Sequence, residues 1–136
     1  MNILFFLKPK SEIAYINVED TLRQAIEKME YHKYSSIPIV NKNGKYIGSI
    51  TEGDVLWGIK NKYNLSLKKA EDVPITTIDR RHDYKAVNIG ANIEDLVEKA
   101  KVQNFVPVVD DQDNFIGIIT RGDIIGYCFE KMNKNI

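Results

Sequence analysis

The chain contains an internal repeat whose two copies are separated by a constant 69 residues. The residues IPIV at 37–40 and GKYIGSITEGD at 44–54 recur as VPVV at 106–109 and DNFIGIITRGD at 113–123. The landmarks that keep this spacing without a gap are Pro38 and Pro107, Gly48 and Gly117, Thr51 and Thr120, and Asp54 and Asp123. Such a repeat predicts two similar supersecondary units, neither of which buries its apolar face alone.

Each copy predicts the same element order, β-α-β-β-α. In the first copy, apolar residues at helical spacing predict a helix over 21–31, and two apolar runs around an Asn/Gly turn predict a β-hairpin with strands 37–40 and 46–50. A second helix is predicted over 53–61. In the second copy Asn92 is a candidate N-cap, the hairpin strands are 106–109 and 115–119, and the last helix runs over 123–129.

The segments between these elements give weaker signals. Short strands are predicted at 13–16 and 84–87, and residues 73–78 are one possible extra strand. We draw the first motif over residues 1–62, and the linker and second motif over 63–136. The predicted fold class is α+β, with the two repeats packed sheet to sheet about a pseudo-twofold axis, which creates two equivalent clefts.

Composition excludes several classes of function. The 19 basic and 19 acidic side chains balance to zero net charge, which argues against a nucleic-acid partner. One cysteine and two histidines are too few for a cysteine-rich zinc site, so no metal is expected. The apolar run at 3–7 is too short for a membrane span or a leader, so we expect a cytoplasmic protein without a membrane partner.

No arrangement of residues predicts catalysis. The sequence has no Gly-x-Ser-x-Gly, phosphate-binding loop, His-Glu-x-x-His or Cys-x-x-Cys motif, and Asp54 and Asp123 belong to separate repeats. We therefore expect a protein that is not an enzyme and has no catalytic residues.

The repeated landmarks resemble CBS (cystathionine-β-synthase) motifs. They are the Ile/Val-Pro-hydrophobic strands, the hydrophobic-Gly-hydrophobic strands and the two Thr-x-x-Asp endings, all in register in both copies. The whole chain resembles a tandem CBS pair, or Bateman module. Residues 5–10 and 34–38 also resemble a small bacterial group of stand-alone pairs.

The resemblance implies a sensor that holds AMP, ADP, ATP or S-adenosylmethionine in the clefts and modulates an unknown protein partner. No cofactor beyond this regulatory ligand is implied. Asp54 and Asp123 would accept hydrogen bonds from the ribose diol near a helix N-terminus, with Thr51 and Thr120 beside them. The residues expected to line the adenine slot are Ser35, Ser36, Ile37, Pro38, Asn104, Phe105, Val106 and Pro107.

The two copies differ in charge next to the threonine. Arg121 follows Thr120, whereas Glu52 follows Thr51, so the cleft that Arg121 reaches is expected to be the better phosphate site. The linker residues Arg80, Arg81 and His82 are either further phosphate contacts or a solvated surface cluster.

Alternatives without a ligand remain open at this point. Thr-x-x-Asp is also an N-capping pattern, and Pro38 and Pro107 are typical of edge strands. Trp57, Leu56 and Ile59 are expected to lie in the core or a dimer interface, and Cys128 is expected to be a buried thiol.

Two functional alternatives accompany the sensor. The first is a ligand-free interaction module that dimerises. The second is a regulator linked to DNA or RNA through residues 80–82, which zero net charge disfavours. A homodimer is expected for the sensor and for the interaction module, because the helices carry apolar residues beyond those their own sheet needs. These residues are Leu56, Trp57, Ile124 and Ile125.

Overall fold

The computed structural model of the protein describes residues 2–134, which form two compact units. The first-motif unit spans Ala14–Asp83, and the second-motif unit combines the chain up to Ile13 with the chain from Tyr84 onward. These units divide the chain differently from a motif boundary at residue 62, because the N-terminal segment joins the second motif and the linker joins the first. The ends of the predicted ranges, residues 1, 135 and 136, lie outside the described residues.

The elements follow the predicted repeat. In chain order the strands are β1 Lys8–Pro9, β2 Ile16–Asn17, β3 Ser36–Val40, β4 Tyr46–Thr51, β5 Val87–Asn88, β6 Phe105–Val109 and β7 Phe115–Thr120. The α-helices are α1 Leu22–His32, α2 Glu52–Tyr63, α3 Leu67–Ala70, α4 Ile93–Ala100 and α5 Arg121–Lys134, and short 3-10 turns cover Ile3–Phe6, Lys10–Glu12 and Ile75–Thr77. The predicted α+β class is confirmed.

The first-motif unit contains a three-stranded sheet in the order β2-β3-β4. β3 pairs antiparallel with β4, so that Ile37 lies opposite Ile50, and parallel with β2. Helix α1 begins at a reciprocal capping box in which Thr21 Oγ1 accepts from Gln24 N and Gln24 Oε1 accepts from Thr21 N. The core between sheet and helices is formed mainly by aliphatic side chains, including Ile16, Leu22, Ala25, Ile37, Ile39 and Ile50.

The second-motif unit contains a four-stranded sheet in the order β1-β7-β6-β5. Strands β5, β6 and β7 repeat the pairing of β2, β3 and β4. The N-terminal strand β1 adds to the edge of β7, with Lys8 opposite Ile118 and Pro9 opposite Gly117. The aliphatic core of this unit includes Ile3, Leu96, Val106, Val108, Ile119 and Ile124.

The expectation that Pro38 and Pro107 lie on edge strands is wrong, because β3 and β6 are interior strands. Glu52 N donates to Ser35 O, so the alternation of an antiparallel pair directs the main chain of Ile37 toward β4 and that of Pro38 away from it. On that other side β2 pairs only from Ile39 onward. A proline there removes no ladder hydrogen bond.

Residues 73–78 do not form the possible extra strand. Val73 O accepts from Leu22 N and Ile75 N donates to Asp20 O, so the segment is held at the start of α1. Its contact with Thr21 is a single isolated bridge at Pro74, after which the chain makes a 3-10 turn. The short strands predicted at 13–16 and 84–87 are β2 and β5, which begin three residues later.

Two predictions about α5 are wrong. Ile124 is 2% exposed and belongs to the core of the second-motif unit, whereas its neighbour Ile125 is 58% exposed. Cys128 is partly exposed and does not lie in the core. Successive helical residues point about 100° apart, which places Ile124 toward the sheet and leaves Ile125 outside.

Candidate functional site

The first Thr-x-x-Asp motif is a reciprocal capping box at the start of α2. Thr51 Oγ1 accepts from Asp54 N at 3.0 Å, and Asp54 Oδ2 accepts from Thr51 N at 3.0 Å. This is the arrangement that the N-cap alternative describes, with Thr51 as the N-cap and Asp54 at the third helical position.

Asp54 also binds the linker. Its second carboxylate oxygen, Oδ1, accepts from the main-chain N–H of Arg81 at 2.9 Å. Asp54 is 3% exposed, and both of its oxygens are engaged inside the first-motif unit. A ribose that approached Asp54 would therefore have to replace one of these donors.

A second linker contact lies beside Asp54, at the outer edge of β4. Asp83 Oδ1 accepts from Ser49 N at 2.9 Å, and Asp83 Oδ2 accepts from Arg80 Nε at 2.9 Å. Gly48 makes this contact possible, because a Cβ at Gly48 would lie 2.6 Å from Arg80 Nε and 2.7 Å from each Asp83 carboxylate oxygen. Neither Asp83 nor Gly48 was identified as a site residue from the sequence, although the hydrophobic-Gly-hydrophobic pattern was a signal that something packs closely there.

The second Thr-x-x-Asp motif differs from the first. Thr120 Oγ1 accepts from Asp123 N at 3.2 Å, but the carboxylate of Asp123 accepts no hydrogen bond from the part of the chain that the structure describes. Asp123 is exposed at the start of α5. Among the described residues, no donor reaches the Asp123 carboxylate, whereas each oxygen of the equivalent Asp54 carboxylate accepts a hydrogen bond. We call Asp123 the open carboxylate and Asp54 the closed one.

Arg121 is held at the C-terminal end of α4. Its Nε donates to Ala100 O, one of the carbonyls that the end of α4 leaves unpaired, and to Gln103 O, three residues beyond the helix, each at 2.9 Å. Neither hydrogen bond uses a terminal Nη nitrogen. The guanidinium is therefore fixed by Nε, with its other donors directed elsewhere.

The eight residues predicted to line an adenine slot divide between two faces of their strands. Ile37 and Val106 contribute to the aliphatic cores, whereas their neighbours in β3 and β6 point to the opposite sheet face. Phe105 on that face contacts Tyr84 edge to face, with 4.9 Å between ring centroids. Ser36, Pro38, Phe105 and Pro107 are buried, and Ser35 and Asn104 are exposed where their strands begin.

One linker cation, Arg81, and one cation of α2, Lys60, lie near the exposed ring of Trp57. Arg81 Cζ lies 6.0 Å and Lys60 Nζ 5.9 Å from the ring centroid of Trp57, which is 39% exposed. Arg80 is paired with Asp83, and His82 is exposed. The basic cluster is thus partly engaged in interactions within its own unit.

Each unit has an apolar groove between its two principal helices. In the first-motif unit a cavity of about 530 Å³ lies between α1 and α2; its apolar lining is Ile26, Met29, Val55, Leu56 and Ile59, and its rim also includes Glu30, Lys33, Tyr34, Ser35 and Glu52. In the second-motif unit a cavity of about 390 Å³ lies between α4 and α5 and is lined by Val97, Ala100, Ile124, Ile125, Cys128, Phe129 and Met132. These equivalent grooves leave apolar surface exposed on both units.

Residues 2–134 contain neither a cluster of metal-ligating side chains nor a membrane-spanning helix. No three side chains among histidine, cysteine, aspartate and glutamate come together as a potential metal site. No helix in that range is both long and apolar enough to cross a lipid bilayer.

Two pseudo-equivalent β-hairpins, each followed by a helix that starts at Thr-x-x-Asp, define a tandem-repeat α+β protein. The family model for the CBS domain matches residues 7–61 and 71–130. The chain therefore belongs to the CBS-domain family and carries two copies of the domain.

Similar proteins include both uncharacterised and structurally studied members. The chain is 29% identical over 126 residues to the uncharacterized protein MJ1225 of Methanocaldococcus jannaschii, covering 85% of this chain and 45% of that protein. It spans less than half the length of the first relatives that it matches.

Solved CBS-pair structures share the fold. The CbpB protein of Listeria monocytogenes in complex with c-di-AMP has a TM-score of 0.83 at 20% identity, covering 98% of each chain. The CBS-pair protein CBSX2 of Arabidopsis thaliana in complex with AMP has a TM-score of 0.73 at 21% identity, covering 96% of this chain and 98% of that one.

Proposed function

We propose that this protein is a non-enzymatic regulatory module that binds an adenine nucleotide at a Thr-x-x-Asp helix start and modulates a protein partner. The observation that carries the proposal is the open carboxylate of Asp123. Helices α1, α2 and α4 each begin with a reciprocal capping box, whereas α5 has only the threonine half of one. A carboxylate that is left unused at a helix N-terminus is suited to accept hydrogen bonds from a ribose diol.

The residues around Asp123 have distinct roles in this proposal. Asp123 accepts from the ribose hydroxyls, and the Nη donors of Arg121 face the phosphate. Asn104, Phe105 and Pro107 form one wall of the adenine slot, where an aromatic ring is a suitable stacking surface. Asp54, Thr51 and the residues at 35–38 form the corresponding position of the first motif.

Two structural relatives support the choice of ligand class. Listeria CbpB and Arabidopsis CBSX2 have been solved with c-di-AMP and AMP respectively, and both ligands contain adenosine and phosphate. An adenine nucleotide is thus favoured over S-adenosylmethionine, which has the adenosine but no phosphate.

Isothermal titration calorimetry with AMP, ADP, ATP, c-di-AMP and S-adenosylmethionine tests the proposal. We expect one of the four phosphorylated ligands to bind with saturable heat. If all five produce no heat up to millimolar concentration, the sensor function is wrong.

The ligand-free interaction module is a second candidate, favoured by the closed Asp54 and by the exposed apolar helix residues. Leu56 is 51%, Ile125 58% and Phe129 62% exposed in the single chain. We propose that two chains associate through such residues into a homodimer. A dimer by light scattering, without thermal stabilisation by any of the five ligands, would favour the interaction module over the sensor.

A further inference from the structure

We propose that residues 80–83, the linker plug, form a displaceable internal plug of the first motif's nucleotide position. The inference rests on the proposed function and concerns only the first-motif unit. The sequence did not suggest this role for the linker. The linker plug makes the two motifs unequal, because it supplies a donor to the carboxylate of Asp54 and none to that of Asp123.

The linker plug supplies groups of the same kind as those of a nucleotide. The Asp83 carboxylate accepts from the Ser49 amide and from Arg80 Nε, as a phosphate oxygen would. The Arg81 N–H donates to Asp54, as a ribose hydroxyl would. The acceptor, Asp83, thus contacts β4, and the donor, Arg81, contacts the start of α2. These are the two elements to which the proposed function assigns the ligand.

This match determines the class of ligand that can enter. A nucleotide with a phosphate and a ribose diol can take over both contacts and leave no donor or acceptor of β4 or α2 without a partner. A nucleoside without phosphate, or inorganic phosphate alone, replaces only one of the two contacts. The other group of the motif then either keeps its linker partner or loses its hydrogen bond, and such a loss is unfavourable in a buried position. The first motif should therefore select phosphorylated nucleosides.

The contacts of the linker plug are suited to exchange. The Asp83 side chain is 39% and the Arg80 side chain 23% exposed, so water reaches their ion pair. This ion pair lies within the linker plug and need not break when the plug moves, and the exposed Asp83 side chain can exchange its contact with Ser49 N for a contact with water. The linker plug can therefore occupy the nucleotide position of the first motif and still be displaced from it.

In the second motif the segment that corresponds to the linker plug, residues 9–12, also lies against the equivalent edge strand, β7, but it makes different contacts there. By the register of the short strands, with Ile16 equivalent to Val87, Glu12 occupies the position that corresponds to Asp83. Glu12 is exposed, and its carboxylate accepts no hydrogen bond from residues 2–134. The contact with β7 is main-chain pairing by β1, and no donor among residues 2–134 reaches the carboxylate of Asp123.

The test compares Asp83→Ala and the milder Asp83→Asn with the wild-type chain and with Glu12→Ala as a matched control. Titration with AMP measures the number of sites and their affinities, and thermal unfolding verifies that each variant is folded. We expect one tight site per wild-type chain, and in both Asp83 variants a second site or about a tenfold gain at a weak one, the scale of one charged hydrogen bond. Glu12→Ala should behave as wild type.

Three other outcomes distinguish failure of the plug from failure of the proposed function. Wild-type binding with unchanged stoichiometry and affinity in both folded Asp83 variants overturns the plug but leaves the proposed function standing. Binding to the Asp83 variants alone supports the plug and removes the open site at Asp123. No binding by any chain, with any of the phosphorylated ligands, overturns the proposed function and the plug with it.

Discussion

The main-chain N–H of Arg81 donates to Asp54 Oδ1 at 2.9 Å. One buried carboxylate therefore both begins helix α2 and holds the linker against the first motif. In the second motif the equivalent carboxylate, that of Asp123, makes neither contact with residues 2–134. Two positions that are identical in sequence thus differ in their hydrogen-bond partners, and one partner of Asp54 is a residue of the linker.

Asp54→Ala should destabilise the protein more than the corresponding change in a simple capping box. It leaves the Thr51 and Arg81 amides without their acceptor, and we expect a loss of about 2 kcal/mol or more in the free energy of unfolding. The matched control is Asp95→Ala, since Asp95 is exposed and completes the box with Asn92 at the start of α4. That control should cost about 1 kcal/mol. Equal losses in chemical denaturation would contradict the double role of Asp54.

Asp123→Ala should weaken nucleotide binding without destabilising the fold. Removal of a carboxylate that accepts from a ribose diol is expected to reduce AMP affinity by about tenfold to a hundredfold, the scale of hydrogen bonds to a charged group. Calorimetry measures the affinity and thermal unfolding the stability. Glu130→Ala, which removes an exposed carboxylate elsewhere on α5, serves as control. Unchanged affinity in Asp123→Ala would refute the ribose assignment.

Arg121→Ala should have two separable effects. Loss of the Nε hydrogen bonds to Ala100 O and Gln103 O is expected to lower the free energy of unfolding by about 1 to 3 kcal/mol. If the Nη groups face a phosphate, AMP affinity should also fall by about tenfold while adenosine affinity stays the same. An equal loss for AMP and adenosine would show that Arg121 only secures the end of α4.

Gly117→Ala should detach strand β1. A Cβ at Gly117 would collide with the main-chain oxygen of Lys8, and the φ of +154° is unfavourable for alanine. We expect a loss of about 1 to 3 kcal/mol in the free energy of unfolding. Gly126→Ala is the control, since nothing lies within 4 Å of its Cβ position in α5, and there alanine should stabilise the helix by up to about 1 kcal/mol. Similar unfolding midpoints for both variants would argue against close packing of β1.

Ile125→Glu should convert a homodimer into a monomer while preserving the fold. Ile125 is 58% exposed, so a carboxylate there disturbs an interface and not the core. Multi-angle light scattering measures the mass. Phe5→Glu replaces a residue that is 84% exposed and lies outside the α-helices, so it should leave the mass unchanged. Dimers of undiminished stability in Ile125→Glu would place the association on another surface.

The sequence predicted the hairpins and the principal helices because these depend on local patterns. The apolar runs around Asn41–Gly44 and the stripe from Leu22 to Met29 are fixed by short-range turn and helix preferences. The class of fold followed from the repetition of these patterns. Helix α5 runs on to Lys134, and between Phe129 and Lys134 Met132 is the one apolar residue among polar neighbours, so the sequence gives no clear stop signal at 129.

The contacts that distinguish the two motifs depend on residues far apart in the chain. Nothing near Asp83 indicates that its carboxylate reaches Ser49, and nothing near Lys8 indicates a partner in β7. The sequence located Asp54 and Asp123 correctly at helix starts. It did not show which of the two carboxylates accepts a hydrogen bond from the linker. Ile124 was misassigned for a different reason, because adjacent isoleucines at 124 and 125 leave the inward face of a short helix ambiguous.

The pairing of β1 with β7, together with the buried side chain of Ile3, makes the second-motif unit discontinuous along the chain. During translation the first-motif unit is complete once Asp83 has left the ribosome, while the N-terminal strand still lacks its partner. A fragment cut at the start of the second family match, residue 71, would lose this edge strand and a core side chain. A tag or fusion partner attached to the amino terminus is therefore attached to the second repeat.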